Sequence, residues 1–258
     1  ISRISLLRKV YFMENWKNVL EKFLKEYKEK DYVIGAILCG SYATGNNTDR
    51  SDIDVHIITK DIGFKQRGNV IIDGIMIEYF INPLSQSYKY LENDFKQRRR
   101  LADANMYGNG IILFDKTGEL RQLKEDSLKY YEMEFDAPEE STMMINNYAC
   151  WDLMDEIKDK IDNNENYDLN YYMLLKELIN NYYYKNRIAT VPFTKIEKIY
   201  RNKDYREKYH LKNMPAQKFV ELVLNAIDNK SFDAISQLYN FVMKNFLITD
   251  FILKSEIK

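Results

Sequence analysis

Two cysteines, two histidines, four prolines and nine glycines are all that 258 residues contain of those four types. Cys39 and Cys150 are too few for a disulfide framework and too far apart for a CxxC knuckle, so a reducing, cytoplasmic setting is expected. His56 and His210 cannot build a multi-histidine zinc site. An excess of either charge is also missing: 38 Lys+Arg stand against 39 Asp+Glu, a formal net charge of −1. That balance argues against broad nucleic-acid binding, which needs a basic surface to release counterions. No apolar run approaches the roughly 18–20 residues of a membrane span, so no membrane partner is expected. The first dozen residues carry Arg3, Arg8 and Lys9 without a long apolar stretch, so they do not read as a signal peptide. Met13 opens a helical pattern, and residues 1–12 are read as an extension ahead of it.

What is present suffices for a real core: 45% of residues are hydrophobic and 14% aromatic. At about 150 residues per domain, the length predicts one large domain or two modest ones. Trp16, Val19, Leu20, Phe23, Leu24 and Tyr27 recur at three- and four-residue steps, the stripe of an amphipathic helix. Tyr32–Cys39 is short, apolar and ends at Gly40, as a buried strand does. A polar loop, 40–51, leads to Asp52–Thr59, where polar and apolar residues alternate. Asp73-Gly74 between two β-rich runs, 70–72 and 75–81, predicts a two-residue hairpin. Residues 84–107 read as one basic helical stretch, followed by a short strand at 111–114. Beyond the linker-like FDAPEEST the period is helical throughout, roughly 139–163, 168–187, 193–210, 215–228 and 231–247, with Asp168 and Ser231 at N-cap positions. The expected fold is α+β: a mixed sheet flanked by helices over residues 13–135, then an all-α bundle over residues 136–258.

The chemistry is concentrated in Cys39-Gly-Ser-Tyr-Ala-Thr-Gly45 and Asp52-Ile-Asp-Val55. On a strand, Asp52, Asp54 and His56 share one face while Ile53, Val55 and Ile57 share the other. Two carboxylates held close together repel, and a divalent cation relieves the cost; oxygen ligands of this kind suit Mg²⁺. The Gly40-Ser41 turn adds close backbone approach and a hydroxyl for phosphate oxygens. Gly40 and Gly45 have the spacing of a P-loop, but Asn46-Asn47 replaces its Lys-Ser/Thr. The aspartates at 49–54 lack the glycine of an EF-hand loop.

Gly40-Ser41, a ten-residue gap and Asp52-x-Asp54 together resemble the signature of the DNA polymerase β-type nucleotidyltransferase superfamily. The layout, a short α/β domain before a helical one, is similar to the bacterial antibiotic nucleotidyltransferases that act on aminoglycosides and lincosamides. The resemblance implies two Mg²⁺ ions held by Asp52 and Asp54, with a third carboxylate from a later strand as ligand or general base. Glu78, a charge within the apolar run IMIEYFI, is the expected third member. Gly40 and Ser41 would then face the nucleotide phosphates, and Lys195 would offer the nucleotide a cation. The implied reaction carries AMP from ATP to a hydroxyl of a small molecule, releasing pyrophosphate.

Weaker expectations accompany these. Arg50 and Ser51 precede Asp52 and are read as loop residues beside a pocket. His56 is read as a strand residue farther from the metals. Arg98-Arg99-Arg100 is read as the solvated face of a helix. The tyrosines at 171–172 and 182–184 are read as core and interhelix packing. Acidic stretches at 132–140 and 152–162 would attract a cationic acceptor. Two alternatives remain: an antitoxin-type enzyme that AMPylates a partner protein, and a non-catalytic nucleotide-binding module. Arg206 and His210 stand too close together to be the Arg…His pair of the toxins that such antitoxins modify.

Overall fold

The computed structural model of the chain describes residues 3–211, 213–244, 246–248 and 252, with side chains from residue 15 onward. It falls into two compact units, residues up to Met133 together with Lys208–His210, and Glu134–Glu207 together with residues from Leu211 onward.

The first unit is built on a five-stranded mixed sheet. Helix α1 (Arg3–Lys28) precedes β1 (Val33–Cys39), the short α2 (Gly40–Thr44), β2 (Ile53–Thr59), β3 (Gln66–Ile72) and β4 (Ile75–Pro83). Then come α3 (Leu84–Lys96), α4 (Ala102–Asn109), β5 (Ile111–Asp115) and α5 (Glu119–Lys129). The strand order is β3-β4-β2-β1-β5. Only β2 and β4 run parallel; β1 is antiparallel to both β2 and β5, and β3 is antiparallel to β4. Every residue of β1 is buried, which explains why its sequence is apolar without alternation.

Each face of the sheet has its own core. Val19, Leu20, Phe23, Leu24 and Tyr27 of α1 pack on Ile53, Val55 and Ile57 of β2 and Ile75, Ile77 and Ile81 of β4. On the opposite face Ile37, Cys39 and Ile58 pack with Leu91 of α3, Ala104 and Tyr107 of α4, and Leu120 and Leu123 of α5. The second face is the one that receives Asp54, His56 and Glu78, by the two-residue alternation of the strands.

Several sequence expectations are corrected. Helix α1 does not open at Met13 but runs from Arg3. The loop after β1 starts with one helical turn, α2, closed by Gly45 in the left-handed conformation. The basic stretch 84–107 is two helices, and Arg98–Arg100 lie in the break between them. Arg99 has a φ of 49° there. The Asp94 carboxylate, 1% exposed, accepts from Arg100 Nε, from the Ala102 N–H at 2.8 Å and from the Asp103 N–H at 3.1 Å. A side chain of α3 thus satisfies the first free N–H groups of α4, and that distant cap is invisible to periodicity.

The second unit consists of α6 (Glu140–Asp162), α7 (Asp168–Lys185), a 3-10 turn (Phe193–Lys195), α8 (Ile196–Arg201), α9 (Lys203–Lys208) except its last residue, which belongs to the first unit, α10 (Gln217–Asn229) and α11 (Phe232–Val242). The single helix expected over 193–210 is broken at Asn202, whose side-chain oxygen accepts from the Tyr205 N–H at 2.9 Å and caps the next turn. Asp168 is the first helical residue rather than the cap; its N–H donates to Asn166 Oδ1 at 3.0 Å. Ser231 is an N-cap, accepting from Ala234 N–H. Tyr171, Leu174, Leu178, Phe219, Val223, Ile235 and Leu238 form the centre of this core.

Candidate active site

Asp54 and Glu78 are direct neighbours across the parallel β2–β4 pair, and Asp52 stands one residue before β2 begins. The adjacency of Asp54 and Glu78 is a matter of register: Ile53 pairs with Ile77 on the core side, so the next residue of each strand points to the other face. One carboxylate oxygen from each of Asp52, Asp54 and Glu78 lies within 4.8 Å of the others. The structure therefore brings together all three acidic residues expected from the sequence.

Such crowding has an electrostatic signature. Burial pushes the Asp54 carboxyl from its ordinary 3.8 up to about 6; Asp52 and Glu78 push the same way, and Arg67 opposes them. A site that retains a proton this readily is one where positive charge is in demand. Three hard oxygen donors at this separation, all only partly buried, fit a divalent cation such as Mg²⁺.

The Gly40-Ser41 turn is fitted to the same spot. Gly40 has a φ of +64°, and a Cβ there would lie 3.0 Å from Asp54 Cγ and overlap its Oδ2. Only glycine lets the backbone after β1 pass so close to that carboxylate. Ser41 is half-buried in the first turn of α2, and its carbonyl accepts from Asn46 N–H at 2.9 Å, which closes the turn. Two residues unforeseen in the sequence also meet this turn. Tyr209 OH lies 3.3 Å from Thr44 Oγ1, and Lys208 Nζ donates to Asn46 Oδ1 at 3.3 Å.

Other expectations fare differently. Lys195 is exposed at the end of the 3-10 turn of the second unit. Ser51 is used locally: its hydroxyl accepts from Thr48 N–H at 2.9 Å, while Arg50 is exposed. His56 shares the aspartate face but is buried, stacked on Phe80 at 4.7 Å and met edge-on by Tyr107 at 5.2 Å. Burial lowers its pKa to about 4, so the ring is neutral and serves as packing.

Arg67, on the edge strand β3, is not among the residues expected from the sequence. Its Nε and Nη2 both donate to Glu78 Oε1, at 3.0 and 2.6 Å. The hairpin turn contained the signal: a two-residue Asp73-Gly74 loop pairs Ile72 with Ile75, which puts Arg67 opposite Phe80 and diagonal to Glu78.

Residues 20–104 match the family model of the nucleotidyltransferase domain. The match spans 85 of the chain's 258 residues. The matched segment contains β1 to β4 and all of Gly40, Ser41, Asp52, Asp54, Arg67 and Glu78. As an enzyme the chain is a nucleotidyltransferase, of the class that moves nucleoside monophosphates. Among solved structures it is similar to a nucleotidyltransferase-like protein from Exiguobacterium sibiricum, with 12% identity and a TM-score of 0.40 over 86% of this chain and 73% of that one. No curated protein matches the chain. No helix among the described residues is long and apolar enough to cross a membrane.

Proposed function

We propose that this nucleotidyltransferase moves AMP from ATP to a hydroxyl of a small-molecule acceptor, an aminoglycoside or lincosamide antibiotic, and releases pyrophosphate. The observation that carries the reading is the convergence of Asp52, Asp54 and Glu78 within 4.8 Å beside the Gly40-Ser41 turn.

In this reading the three carboxylates hold Mg²⁺, two ions for the full set. When bound, the metal neutralises the site and polarises phosphate and hydroxyl oxygens. Gly40 lets the triphosphate approach the backbone, and the Ser41 hydroxyl donates to a phosphate oxygen. The acceptor oxygen forms its bond to the α-phosphorus as the α–β phosphoanhydride bond breaks in line, and the hydroxyl proton leaves to a site carboxylate or to water. Positioning and charge complementarity supply the catalysis, because phosphoryl-type transfer asks little covalent chemistry of the protein. The choice of a cationic acceptor is supported by α6, whose Asp152, Asp155, Glu156 and Asp159 are all exposed.

The test is to incubate the chain with Mg²⁺, each of four labelled NTPs, and panels of aminoglycosides, lincosamides, proteins and RNA, and to follow pyrophosphate. Label from ATP on an antibiotic, lost in Asp54→Asn with the fold retained, is the expected result. Label on protein alone would replace it with the antitoxin-type protein AMPylation. A near-normal rate in Asp54→Asn would sink the site assignment.

A further inference from the structure

Arg67, Phe80 and His56 form one row across three strands: Arg67 pairs with Phe80 on β3–β4, and Phe80 pairs with His56 on β4–β2. Asn69, Glu78 and Asp54 form the next row of the same face. The Arg67 side chain does not stay in its own row. Its guanidinium carbon lies 5.0 Å above the Phe80 ring, and the group then turns diagonally to grip Glu78 by one oxygen. Phe80 is itself fixed, with His56 stacked behind it at 4.7 Å. Arg67 is 70% exposed along its side chain and Glu78 only 25%. An ion pair this open contributes little to stability, so its geometry rather than its strength calls for a reason.

The reason lies in what the grip does to Glu78. Both Arg67 donors fall on Oε1, which leaves Oε2 as the oxygen without an Arg67 bond. Without that hold, Glu78 would be repelled by Asp54 and Asp52 and would turn toward solvent. We infer that Arg67 is a positioning residue, a clamp braced on Phe80 that fixes one oxygen of Glu78 so that the other is presented with Asp52 and Asp54 to a divalent cation. This rests on the metal-dependent reading of the site. It extends to a carboxylate the general rule that side chains around a metal are oriented by hydrogen bonds to their remaining atoms.

The sign of the effect separates a clamp from a bystander. Removing a positive charge from beside three carboxylates should, by Coulomb's law alone, tighten cation binding. A clamp predicts the opposite. The experiment counts free Mn²⁺ by electron paramagnetic resonance in titrations of the full chain, its Arg67→Ala and Arg67→Lys variants, and Lys65→Ala as a charge control on the same edge of the sheet. Thermal unfolding verifies each fold, and KM for Mg²⁺ and kcat are read separately. The expected result is about a tenfold weaker Mn²⁺ affinity in Arg67→Ala. Lys65→Ala should show no weakening, and Arg67→Lys should recover part of the loss, since an ammonium gives one contact where the guanidinium gives two. In Arg67→Ala, KM for Mg²⁺ should rise while kcat at saturating Mg²⁺ is largely retained. Unchanged or tighter Mn²⁺ binding in Arg67→Ala would overturn the clamp and leave the metal site standing. Absence of Mn²⁺ binding by the unaltered chain would overturn the metal reading, and the clamp with it.

Discussion

Gly40 and Asp54 compete for one volume: a side chain at position 40 would overlap the carboxylate at position 54. The two lie at adjacent ends of β1 and β2, where Cys39 pairs with Asp54, and the chain turns away immediately afterwards through a positive φ. The turn that would receive phosphate and the carboxylate that would hold the cation are therefore set by a single steric fit.

Gly40→Ala should accordingly damage the site more than the fold. The strained φ alone costs about 1 kcal/mol, and displacing the carboxylate adds to it. Urea unfolding should show a loss of about 1–3 kcal/mol. Mn²⁺ binding and transfer should fall much further than that loss explains. Retention of both would show that the Asp54 carboxylate can move aside.

The pH dependence of the metal-free chain has a defined sign. Asp54 binds its proton more tightly folded, at about 6, than at its ordinary 3.8, chiefly through burial, then through Asp52 and Glu78, with Arg67 opposing. Its contribution to stability is full below the ordinary value and is lost as pH rises through about 6. Stability should therefore fall across that window by an amount on the order of 1–2 kcal/mol, after discounting for solvent screening. Asp54→Asn should flatten the curve and make the metal-free chain more stable at neutral pH. Mg²⁺ should flatten it too, by binding only the ionised form. Urea midpoints at several pH values, with chelator and with Mg²⁺, check all three.

Much of this site was legible because its parts are local. The alternation after Asp52 sets the face of each side chain, and the Asp73-Gly74 turn fixes β3 against β4 without any long-range information. The family resemblance implied a third carboxylate from a later strand; that Glu78 lands directly beside Asp54 depends on the parallel pairing of β2 with β4, which no local pattern reveals. Helical periodicity alone passes over the breaks: Asn202 divides 193–210 as a local cap three residues before Tyr205, and 84–107 is divided by Asp94, which caps the following helix from eight and nine residues away. Other contacts are distant in sequence. Tyr209 reaches Thr44 across 165 positions.

The tyrosines of α7 illustrate how helical phase separates packing from display. Tyr171 is 2% exposed and its hydroxyl donates to the Ala226 carbonyl at 2.7 Å, while Tyr172, one residue on, is 40% exposed. Tyr171→Phe removes one buried hydrogen bond and should cost about 1 kcal/mol. Tyr172→Phe should stay within about 0.5 kcal/mol of the parent. Equal costs in urea unfolding would mean that the ring, not the hydroxyl, is what Tyr171 contributes.

Asp94 is the most consequential buried charge outside the site. Its two oxygens are divided: Oδ1 accepts from Arg100, and Oδ2 accepts from the first N–H groups of α4. That helix carries Tyr107 against His56 and the Met106 carbonyl that accepts from the Cys39 thiol at 3.2 Å, so its start is tied to the strand ends bearing Gly40 and Asp54. Asp94→Ala leaves a guanidinium and two amide groups without their acceptor. Because Arg100 is 38% exposed and can turn to water, the loss should be about 2–3 kcal/mol rather than the larger value of a fully buried pair. Asp94→Asn keeps an acceptor for the amides but sets an NH₂ group against Arg100, and should lose less. If Asp94 served only as an ion-pair partner, Arg100→Ala would equal Asp94→Ala in urea unfolding; as a cap, Asp94→Ala must exceed it.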